Sequence, residues 1–511
     1  MIATILSATP IGYDCSTVNV EGDIKNGLPS MQIIGMGTRS IEEAKERVRS
    51  ALTNSGFVFP PKKIVINLSP AELPKGGTQL DLAIAINVLV LSGQLAPEIV
   101  LNKLFLGELG LDGSIKPVKN ILGLCEAQGL PAVAEIFVPL DNFKQALLLG
   151  DDRVLPASNL KELILHLLKI SPLDVKNAKS EALSDHSKSA TASLPKNELI
   201  LDKIQGQEIA KRAAIIAAAG HHNLLLTGPP GVGKTLIAKT LAGLLPPLTN
   251  AEAKTTSRIH SIVEELQDTN LYSRPFRAPH HTASYASIIG GGSTLRPGEI
   301  SLAHSGILFL DELPEYNRSV IESLRQPLED KKITLNRTGG ITTYPANFIL
   351  VATMNPCPCG YFNDEAKDCT CTASQIQAYQ KKLSGPLLDR IDISVKLSRP
   401  QNAYASVENP LSKSHHEQSV EQIIYARHKQ YERYKRSDIY NGTINDFSSE
   451  KNFLVSGAAL KIVKSASAKF QLSPRSYQKI IKVARTIADL EKSPTVESTH
   501  ISEALQFSGR F

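Results

Sequence analysis

A single glycine-rich segment constrains the fold of this chain more strongly than any other part of its sequence. Residues 228–235 read GPPGVGKT and match the pattern G-x-x-x-x-G-K-[ST] in full, between the apolar run NLLL and the helical pattern TLIAKTLAG. In such a strand–loop–helix unit, glycines turn backbone N–H groups inward around phosphates, and the helix N-terminus adds its positive end. The segment therefore predicts a nucleotide-binding loop on an α/β sheet. A glycine-rich turn without a ligand is the alternative, and the flanking strand and helix argue against it.

The loop residues are the first candidate ligands of a nucleotide. They are Gly228, Pro229, Pro230, Gly231, Val232, Gly233, Lys234 and Thr235. Lys234 is expected to carry its charge to the β- and γ-phosphates, and Thr235 to offer its hydroxyl to Mg²⁺. ATP and Mg²⁺ are therefore the predicted substrate and cofactor.

Two further apolar segments end in polar residues that suit the same chemistry. ILFLDE ends in Asp311 and Glu312, and LVATMNP contains Asn355 at its end. Behind a phosphate loop, Asp311 is expected to hold the metal, usually through water, and Glu312 to orient and deprotonate the attacking water. Asn355 is expected to contact the γ-phosphate or to hold that water. Without the loop this would be a weak signal, because strands often end in acidic turns.

The distribution of apolar residues divides the chain into three regions and a linker. Residues 171–196 are rich in Ser, Lys, Ala and Asp and cannot bury enough surface to order themselves, so they are interpreted as the linker. They separate an N-terminal domain, residues 1–170, from a central domain, residues 197–400, whose continuous apolar strands are typical of a parallel sheet. Residues 401–511 carry helical patterns, which predict a helical lid behind the α/β core.

Composition bounds the compartment and the partners only broadly. The 42% hydrophobic and 21% charged residues are ordinary for a globular protein, and a net charge of +6 permits nucleic-acid contact without requiring it. The N-terminus lacks the pattern of a secretory signal, and the longest apolar runs fall short of the roughly 20 residues that span a bilayer. We therefore expect a cytoplasmic protein with no membrane partner and with reduced cysteines.

Four of the six cysteines lie in one segment, CPCGYFNDEAKDCTC, directly behind the LVATMNP strand. They are Cys357, Cys359, Cys369 and Cys371. Four thiolates at this spacing can form a closed, tetrahedral Zn²⁺ site that pins a long loop beside Asn355. Because C-x-C pairs are less diagnostic than C-x-x-C pairs, free thiols or redox sensing stay open as alternatives. Cys15 and Cys125 are expected to be packed as small apolar residues.

Together these segments resemble an AAA+ ATPase of the magnesium-chelatase I-subunit-like branch and, within it, the YifB/ComM group. The resemblance extends over nearly the whole chain. It is carried by GQEIAKRAAIIAAAGHHNLLLTGPPGVGKT, FRAPHHTAS, GGGSTLRPGEISLAHSGILFLDELPE and LRQPLEDKKITLNRTGGITTYPANFILVATMNPCPCG. This family association implies a hexameric ring.

The resemblance also implies roles for residues whose own patterns are weak. Asn355 matches sensor 1, and Arg475, in SPRSYQ, matches sensor 2. Arg390, in LLDRID, matches the arginine finger that reaches the nucleotide of a neighbouring subunit, which would make hydrolysis depend on the ring. Ile204 and Gln205, within IQGQ, match the segment beside the adenine. Without the resemblance, each arginine would be interpreted as structural, because surface arginines are common.

Two insertions bear on the partner of such a motor. ITLNRTGGITTYP alternates on both sides of a Gly-Gly turn, which predicts a β-hairpin, and it is similar to the pre-sensor-1 hairpin that projects toward the pore in this branch. Arg337 at its tip and Lys331 and Lys332 at its base are the candidate DNA-binding residues, because Lys and Arg dominate non-specific affinity for nucleic acids. SYASIIGGGSTLRPGE is similar to a second pore loop, the helix-2 insert. A solvated surface is the alternative for these charges.

The N-terminal domain resembles the proteolytic domain of Lon, an α+β domain of ribosomal S5 domain 2-like fold. LSPAELPKGGTQLDLAIAINVLVLSGQL and FLGELGLDGSIKPVKNILGLCEAQGLP carry this resemblance. In that alignment Gln79 stands where Lon has its nucleophilic serine, and Leu122 stands where it has its lysine. Because an amide and an alkyl group cannot form an activated nucleophile, we expect an inactive scaffold or a DNA-contacting collar.

The predicted function is ATP hydrolysis that drives a hexameric DNA motor. The resemblance implies a helicase that promotes branch migration of recombination intermediates in natural transformation (competence). Its partners would be single-stranded or branched DNA, further copies of itself and recombination proteins. A remodeller of a protein or chelatase-type client is the alternative, although the chain lacks an integrin-like metal-binding domain. A Lon-type protease would need a serine at position 79, and a non-enzymatic DNA-binding scaffold would show no turnover.

Overall fold

The computed structural model of the protein describes most of the chain. The described residues are 2–37, 39–180, 201–263, 271–292, 295–337, 340–399, 415–436, 438–444 and 453–508. Within these ranges no helix is both long and apolar enough to cross a membrane.

The N-terminal region is built on a mixed seven-stranded sheet beside a short two-stranded pair. Its strands are β1 (Ile2–Ile11), β2 (Asp14–Lys25), β3 (Ser30–Ile34), β4 (Lys63–Ser69), β5 (Lys103–Phe105), β6 (Glu108–Leu109), β7 (Ile115–Lys116), β8 (Glu135–Pro139) and β9 (Val154–Ala157). The large sheet has the order β3-β4-β2-β1-β5-β8-β9. In it β2 runs antiparallel to β1 and β4, and the other neighbours are parallel.

Helices of the N-terminal region alternate with these strands. They are α1 (Arg39–Asn54), α2 (Asp81–Leu91), α3 (Pro97–Val100), α4 (Ile121–Cys125), α5 (Leu140–Ala146) and α6 (Leu160–Leu167), with a 3₁₀ turn at Leu147–Leu149. Every residue of α2 is buried, because this helix is apolar on all sides. The amide of Asn87 within it donates to the carbonyls of Ala3 (3.0 Å) and Val20 (2.8 Å), which ties α2 to β1 and β2. The region is α+β as predicted, and its likeness to Lon stays a prediction.

The central region contains the predicted parallel sheet. Its strands are β10 (Leu224–Thr227), β11 (Phe276–Arg277), β14 (Ile307–Leu310), β17 (Ile349–Met354) and β18 (Ile393–Lys396), in the order β11-β14-β17-β10-β18 with parallel neighbours throughout. All residues of β14 and β17 are buried, as expected of strands covered on both faces. Since β10, β14 and β17 are parallel, their carboxyl ends meet at one edge of the sheet.

The remaining elements of this region are helices and two small antiparallel pairs. The helices are α7 (Glu208–Gly220), α8 (Lys234–Leu244), α9 (Asn250–Val263), α10 (Tyr285–Ile289), α11 (Glu299–Leu302), α12 (Arg318–Ser323), α13 (Arg325–Asp330), α14 (Ala373–Gln380) and α15 (Gly385–Leu388), with 3₁₀ turns at Leu201–Lys203 and Leu313–Glu315. The antiparallel pairs are β12 (Gly290–Gly291) with β13 (Arg296–Pro297), and β15 (Lys332–Arg337) with β16 (Gly340–Pro345). The second pair is the hairpin that the alternation around Gly-Gly predicts.

The described part of the C-terminal region is helical. It contains α16 (His415–Tyr434), a 3₁₀ turn at Asn441–Thr443, α17 (Gly457–Phe470), α18 (Pro474–Leu490) and α19 (Ser498–Gln506). Ile423 and Val483 belong to the same buried cluster as Ile216 of α7 and Leu226 of β10. These helices therefore share one core with the central sheet.

The predicted linker begins later than the sequence indicates. Residues 175–180 are helical, Leu173 is buried, and Val175 and Ala178 pack against the N-terminal core. These apolar side chains are few, but their burial orders the first third of the segment. Residues 181–196 of the predicted linker lie outside the described residues.

The N-terminal region contacts strand β16 of the β15–β16 hairpin through the turn between β1 and β2. The Tyr13 N–H donates to the Thr342 hydroxyl (3.0 Å), and the Tyr13 ring meets that of Tyr344 edge-on with centroids 5.5 Å apart. The guanidinium of Arg258 lies 4.4 Å from the centroid of Tyr13 and donates to its carbonyl (3.1 Å). Gly12 has φ +63°, and a Cβ there would lie 2.6 Å from Thr342 Oγ1, so the contact requires glycine. Strand β16 of the hairpin is thus anchored to the turn between β1 and β2.

Candidate nucleotide site

The glycine-rich loop joins the carboxyl end of β10 to the N-terminus of α8. Gly231 (φ +81°) and Gly233 (φ +91°) adopt left-handed conformations, and a Cβ at either position would meet nothing within 4 Å. The loop therefore surrounds open space at the start of an eleven-residue helix. Backbone N–H groups and the positive end of the helix suit this space to phosphate groups.

The ammonium group of Lys234 lies at the centre of this loop. It donates to the carbonyl of Pro229 (3.0 Å) and to the amide oxygen of Asn355 (2.8 Å), so the structure brings together the two candidates from β10–α8 and β17. Burial lowers the pKa of Lys234, and the nearby carboxylates of Asp311 and Glu312 oppose that shift. A buried ammonium without a carboxylate in direct contact is an apt partner for phosphate oxygens.

Asp311 and Glu312 follow β14 at the same edge of the sheet. One carboxylate oxygen of Asp311 accepts from the hydroxyl of Thr235 (3.2 Å), and the other accepts from the hydroxyl of Thr353. The Glu312 N–H donates to Thr353 Oγ1 (2.9 Å), and Glu312 itself has φ +54°. Thr353 thus orients both acidic residues. Sequence reasoning missed it, although a hydroxyl inside an otherwise apolar, buried strand was a usable signal.

The oxygen atoms of Thr235 and Asp311 fit a magnesium ion, because Mg²⁺ prefers hard oxygen ligands supplied by few protein groups. The two side chains stand side by side at the mouth of the loop. Bound there with a nucleotide, Mg²⁺ would neutralise charge on the β- and γ-phosphates.

A cleft of about 500 Å³ is lined by the last two residues of the IQGQ segment, Gly206 and Gln207, but not by the predicted Ile204 and Gln205. Ile204 is buried in the core, whereas Gln205 is exposed. Gln207 lines the cleft and donates to the Ser398 carbonyl (2.7 Å), and Glu365 of the cysteine segment forms the opposite wall. Gln207 and Glu365 are further candidates for contact with a base.

The two candidate arginines lie together, but away from the chain's own phosphate loop. Arg390 and Arg475 both line a cavity of about 520 Å³, and both donate to the carboxylate of Glu329, Arg475 at 2.7 Å. No residue of the glycine-rich loop lines this cavity within the described part of the chain. Neither arginine is therefore placed to reach a nucleotide held by Lys234 of the same copy.

The four clustered cysteines converge as a candidate metal centre. Their sulfur atoms all lie within 4.8 Å of one another, with Cys357–Cys359, Cys357–Cys369 and Cys359–Cys369 separations of 3.3, 3.7 and 3.6 Å. Zn–S bonds of about 2.3 Å in a tetrahedron place sulfur atoms about 3.8 Å apart, so the donor set fits Zn²⁺. A hydrogen bond from the Tyr361 N–H lowers the pKa of Cys359 to about 5, whereas burial and hydrogen bonds to Cys359 and Cys357 raise the pKa of Cys369 to about 12 and also raise that of Cys371. A metal bound by all four sulfur atoms would therefore displace protons from the other thiols.

The cysteine segment packs directly on the phosphate loop. Gly360 has φ +88°, and a Cβ there would lie 2.8 Å from the Pro230 ring, so only glycine allows this approach. Asp364 accepts from the guanidinium of Arg399 (3.2 Å), which lines the adenine-side cleft. A centre that fixes this segment would also fix one wall of the candidate nucleotide site.

The candidate DNA-binding residues occupy different surroundings. Lys331 precedes β15 and lines the cavity around Arg390 and Arg475, where burial lowers its pKa to about 8. Lys332 is exposed at the start of the hairpin. Arg337 ends β15, and its side chain lies outside the described residues. Lys332 and Arg337 thus stay candidates for DNA contact, whereas Lys331 faces the arginine cavity.

The residues aligned with the Lon dyad are buried. Gln79 donates its amide to the Gly76 carbonyl (2.8 Å), and Leu122 belongs to an apolar cluster. The single cysteines Cys15 and Cys125 are buried as predicted. Burial raises the pKa of Cys15 to about 12, so this thiol stays protonated.

Comparison with known proteins agrees with this arrangement. Family models match three stretches: magnesium chelatase subunit ChlI over residues 200–405, the ChlI C-terminal model over 414–508, and a second ChlI subunit model over 20–142. The chain is 38% identical to competence protein ComM of Haemophilus influenzae over 511 residues, which covers 99% of this chain and 97% of the relative. It is 37% identical to YifB of Salmonella typhimurium over 507 residues, with the same coverage.

The similarity to a magnesium-chelatase 38 kDa subunit from Cereibacter sphaeroides is more distant. It amounts to 24% identity over 223 residues, which covers 40% of this chain and 60% of that subunit. The full-length matches are therefore more informative, and the family implies ATPase activity. The chain belongs to the ComM/YifB family of magnesium-chelatase-like AAA+ proteins.

Proposed function

We propose that this protein is a homohexameric ATPase that moves along or remodels DNA, acting as a branch-migration helicase on recombination intermediates. The observation that carries the proposal is the separation of Arg390 and Arg475 from the chain's own phosphate loop. Both arginines line a cavity beside Asn223, at the amino end of β10, whereas the phosphate loop follows the carboxyl end of that strand. The proposal therefore assigns them to a nucleotide bound to a neighbouring copy. The name of the Haemophilus relative, a competence protein, supports a role in natural transformation.

The chain's own residues divide the chemistry of hydrolysis. Lys234 binds the phosphates, and Glu312 accepts the proton of the attacking water. Asn355 orients that water and the ammonium group of Lys234. Arg390 from a neighbouring copy stabilises the charge that develops on the transferred phosphoryl group. Hydrolysis then moves the β15–β16 hairpin, whose strand β16 contacts Tyr13.

The test is ATP turnover of the wild type and of Glu312→Gln, each with single-stranded, duplex and forked DNA and without DNA. We expect DNA to stimulate the wild type, with forked DNA the most effective. If none of the three DNAs changes the rate of ATP turnover, the result would favour the alternative, a remodeller of a protein or chelatase-type client.

The hairpin should contribute to DNA affinity through phosphates. Replacing Lys332 and Arg337 together by alanine should weaken binding to all sequences alike and reduce the slope of log K against log salt by about one to two. Fluorescence anisotropy with a labelled single strand at several salt concentrations measures this slope. Lys464→Ala, an exposed lysine of α17, is the matched control. An unchanged slope in the double variant would show that these hairpin residues do not contact DNA phosphates.

We further propose that the four clustered cysteines hold one structural Zn²⁺ ion. The geometry of the four sulfur atoms supports a metal over free thiols. Its work is to fix the segment between Cys359 and Cys369, which carries few apolar side chains of its own.

Loss of this metal should weaken nucleotide binding. Cys371→Ser should release about one equivalent of zinc per chain and raise the Kd for a fluorescent ATP analogue by about tenfold, because the wall beside Pro230 loosens. Metal is measured by a colorimetric chelator after thiol blocking, and affinity by titration. Cys125→Ser, a buried cysteine outside the cluster, should retain both properties. A wild-type protein that contains no zinc would contradict the assignment.

A further inference from the structure

One carboxylate in the arginine cavity has no role in the chemistry proposed so far. Glu329 stands at the end of α13 and is held by two guanidinium groups at once. Its Oε2 accepts from Arg390 Nη2, and its Oε1 accepts from Arg475 Nη2 (2.7 Å). Each oxygen thus serves one arginine, and this side chain joins the pair.

The cavity around Glu329 is rich in positive charge. Besides the two arginines it is lined by Lys331, Lys479 and Lys482, against the carboxylates of Glu329, Asp389 and Asp392. Asp392 also accepts the N–H of Asn223 (3.0 Å), so part of its charge is directed away from the lysines. Five cationic side chains against three carboxylates give the cavity an excess of positive charge, which suits a further anion. Burial lowers the pKa of Lys331 to about 8, as expected where negative charge is in short supply.

Two buried nitrogen atoms at this cavity also lack a hydrogen-bond partner among the described residues. Arg390 Nε and His221 Nε2 are buried and have no hydrogen-bond partner within the described residues. Buried polar groups are usually paired, so each of these atoms calls for a partner such as a water molecule or a ligand. The guanidinium of Arg390 therefore has hydrogen-bonding capacity that Glu329 does not use.

We propose that Glu329 is a positioning residue that occupies Arg390 and Arg475 in the separate protomer and yields them to the phosphates of a nucleotide bound to a neighbouring copy. This inference depends on the proposed function, because it requires a nucleotide shared between copies. A triphosphate offers more negative charge and more acceptor atoms than one carboxylate. The exchange at Arg475 costs little, since Arg475 and Glu329 are 43% and 42% exposed and their ion pair is solvated. Arg390 is 15% exposed, so its release depends more on the phosphate oxygens that replace Glu329.

One consequence separates this role from simple support of the arginines. A single carboxylate restrains both arginines, so they are released together when the interface closes on a nucleotide. Removing the charge of Glu329 should therefore favour assembly with ATP. If Glu329 only supported the arginines, its removal would instead lower the maximal rate of hydrolysis.

The experiment compares Glu329→Gln with the wild type, with turnover per chain measured against protein concentration at fixed ATP. We expect the concentration at half-maximal turnover to fall about fivefold, with the maximal rate within twofold of the wild type. Asp330→Asn, the adjacent exposed carboxylate, is the matched control and should follow the wild-type curve. Glu329→Asp keeps the charge but shortens its reach, so its shift should be smaller than that of Glu329→Gln. Thermal unfolding without nucleotide checks that all variants fold.

The outcomes distinguish the inference from the proposed function. If wild-type turnover per chain stays constant down to concentrations at which sedimentation shows monomers, no nucleotide is shared between copies, and the role of Glu329 fails together with the proposed function. If the wild type depends on concentration but Glu329→Gln follows the same curve, only the inference is overturned. It is equally overturned if the maximal rate falls as in Arg390→Ala while the midpoint stays in place.

Discussion

Replacing Arg390 by alanine should lower the maximal rate of ATP hydrolysis by about 10³-fold or more, because an arginine finger contributes roughly that factor to phosphoryl transfer. Binding of ATP to the variant should change little, since Arg390 does not line the site around Lys234 of its own copy. Steady-state turnover and titration with a fluorescent nucleotide measure the two properties separately. Arg436→Ala is a control for loss of a guanidinium, because Arg436 pairs with Asp438 at the surface and not with Glu329.

A mixing experiment shows whether Arg390 acts in trans. Lys234→Ala and Arg390→Ala proteins should each be inactive, yet a mixture of the two should regain measurable turnover. Some interfaces in the mixture combine an intact phosphate loop from one copy with an intact arginine from the next. If the mixture stays as inactive as its components, although both variants assemble, Arg390 does not complete a neighbour's site.

Glu312→Gln should lower the rate of ATP hydrolysis by about 10²- to 10⁴-fold, which is the contribution of a positioned general base. The amide keeps the size of the side chain and the hydrogen bond from the Glu312 N–H to Thr353. ATP should therefore still bind, and the nucleotide-bound assembly should accumulate. Single-turnover hydrolysis and size-exclusion chromatography with ATP report these two effects.

Glu315→Gln is the matched control for that substitution. Glu315 lies three residues further on and pairs with Lys382 at the surface, so its loss should leave turnover within about twofold. If Glu312→Gln hydrolyses ATP at the wild-type rate, the acidic pair at the end of β14 does not supply the base.

The parts of the site that follow from local rules could be predicted from sequence. The phosphate loop, the parallel strands and the β15–β16 hairpin each depend on residues close together in the chain. The structure brings Lys234, Thr235, Asp311 and Asn355 to one edge of the sheet, because parallel strands align their carboxyl ends. The catalytic roles of these residues stay predictions.

The parts that depend on long-range packing could not be predicted. Glu329 meets Arg390 and Arg475, which lie 61 and 146 positions further along the chain, and no periodicity links such residues. The sequence makes Lys331 a candidate for DNA contact at the base of the hairpin. In the structure it has a left-handed conformation (φ +57°) after α13 and lines the arginine cavity. The contact of Gly360 with Pro230 likewise appears only when the cysteine segment is folded back on the phosphate loop.

The central claim is that ATP is hydrolysed between adjacent copies of this chain and that DNA is the client of the cycle. The most direct measurement is turnover per chain from dilute to concentrated protein, with sedimentation recording the assembly state, in the presence and absence of forked DNA. The account predicts that turnover rises with assembly and rises again with DNA. Constant turnover by a monomer, unaffected by DNA, would contradict it.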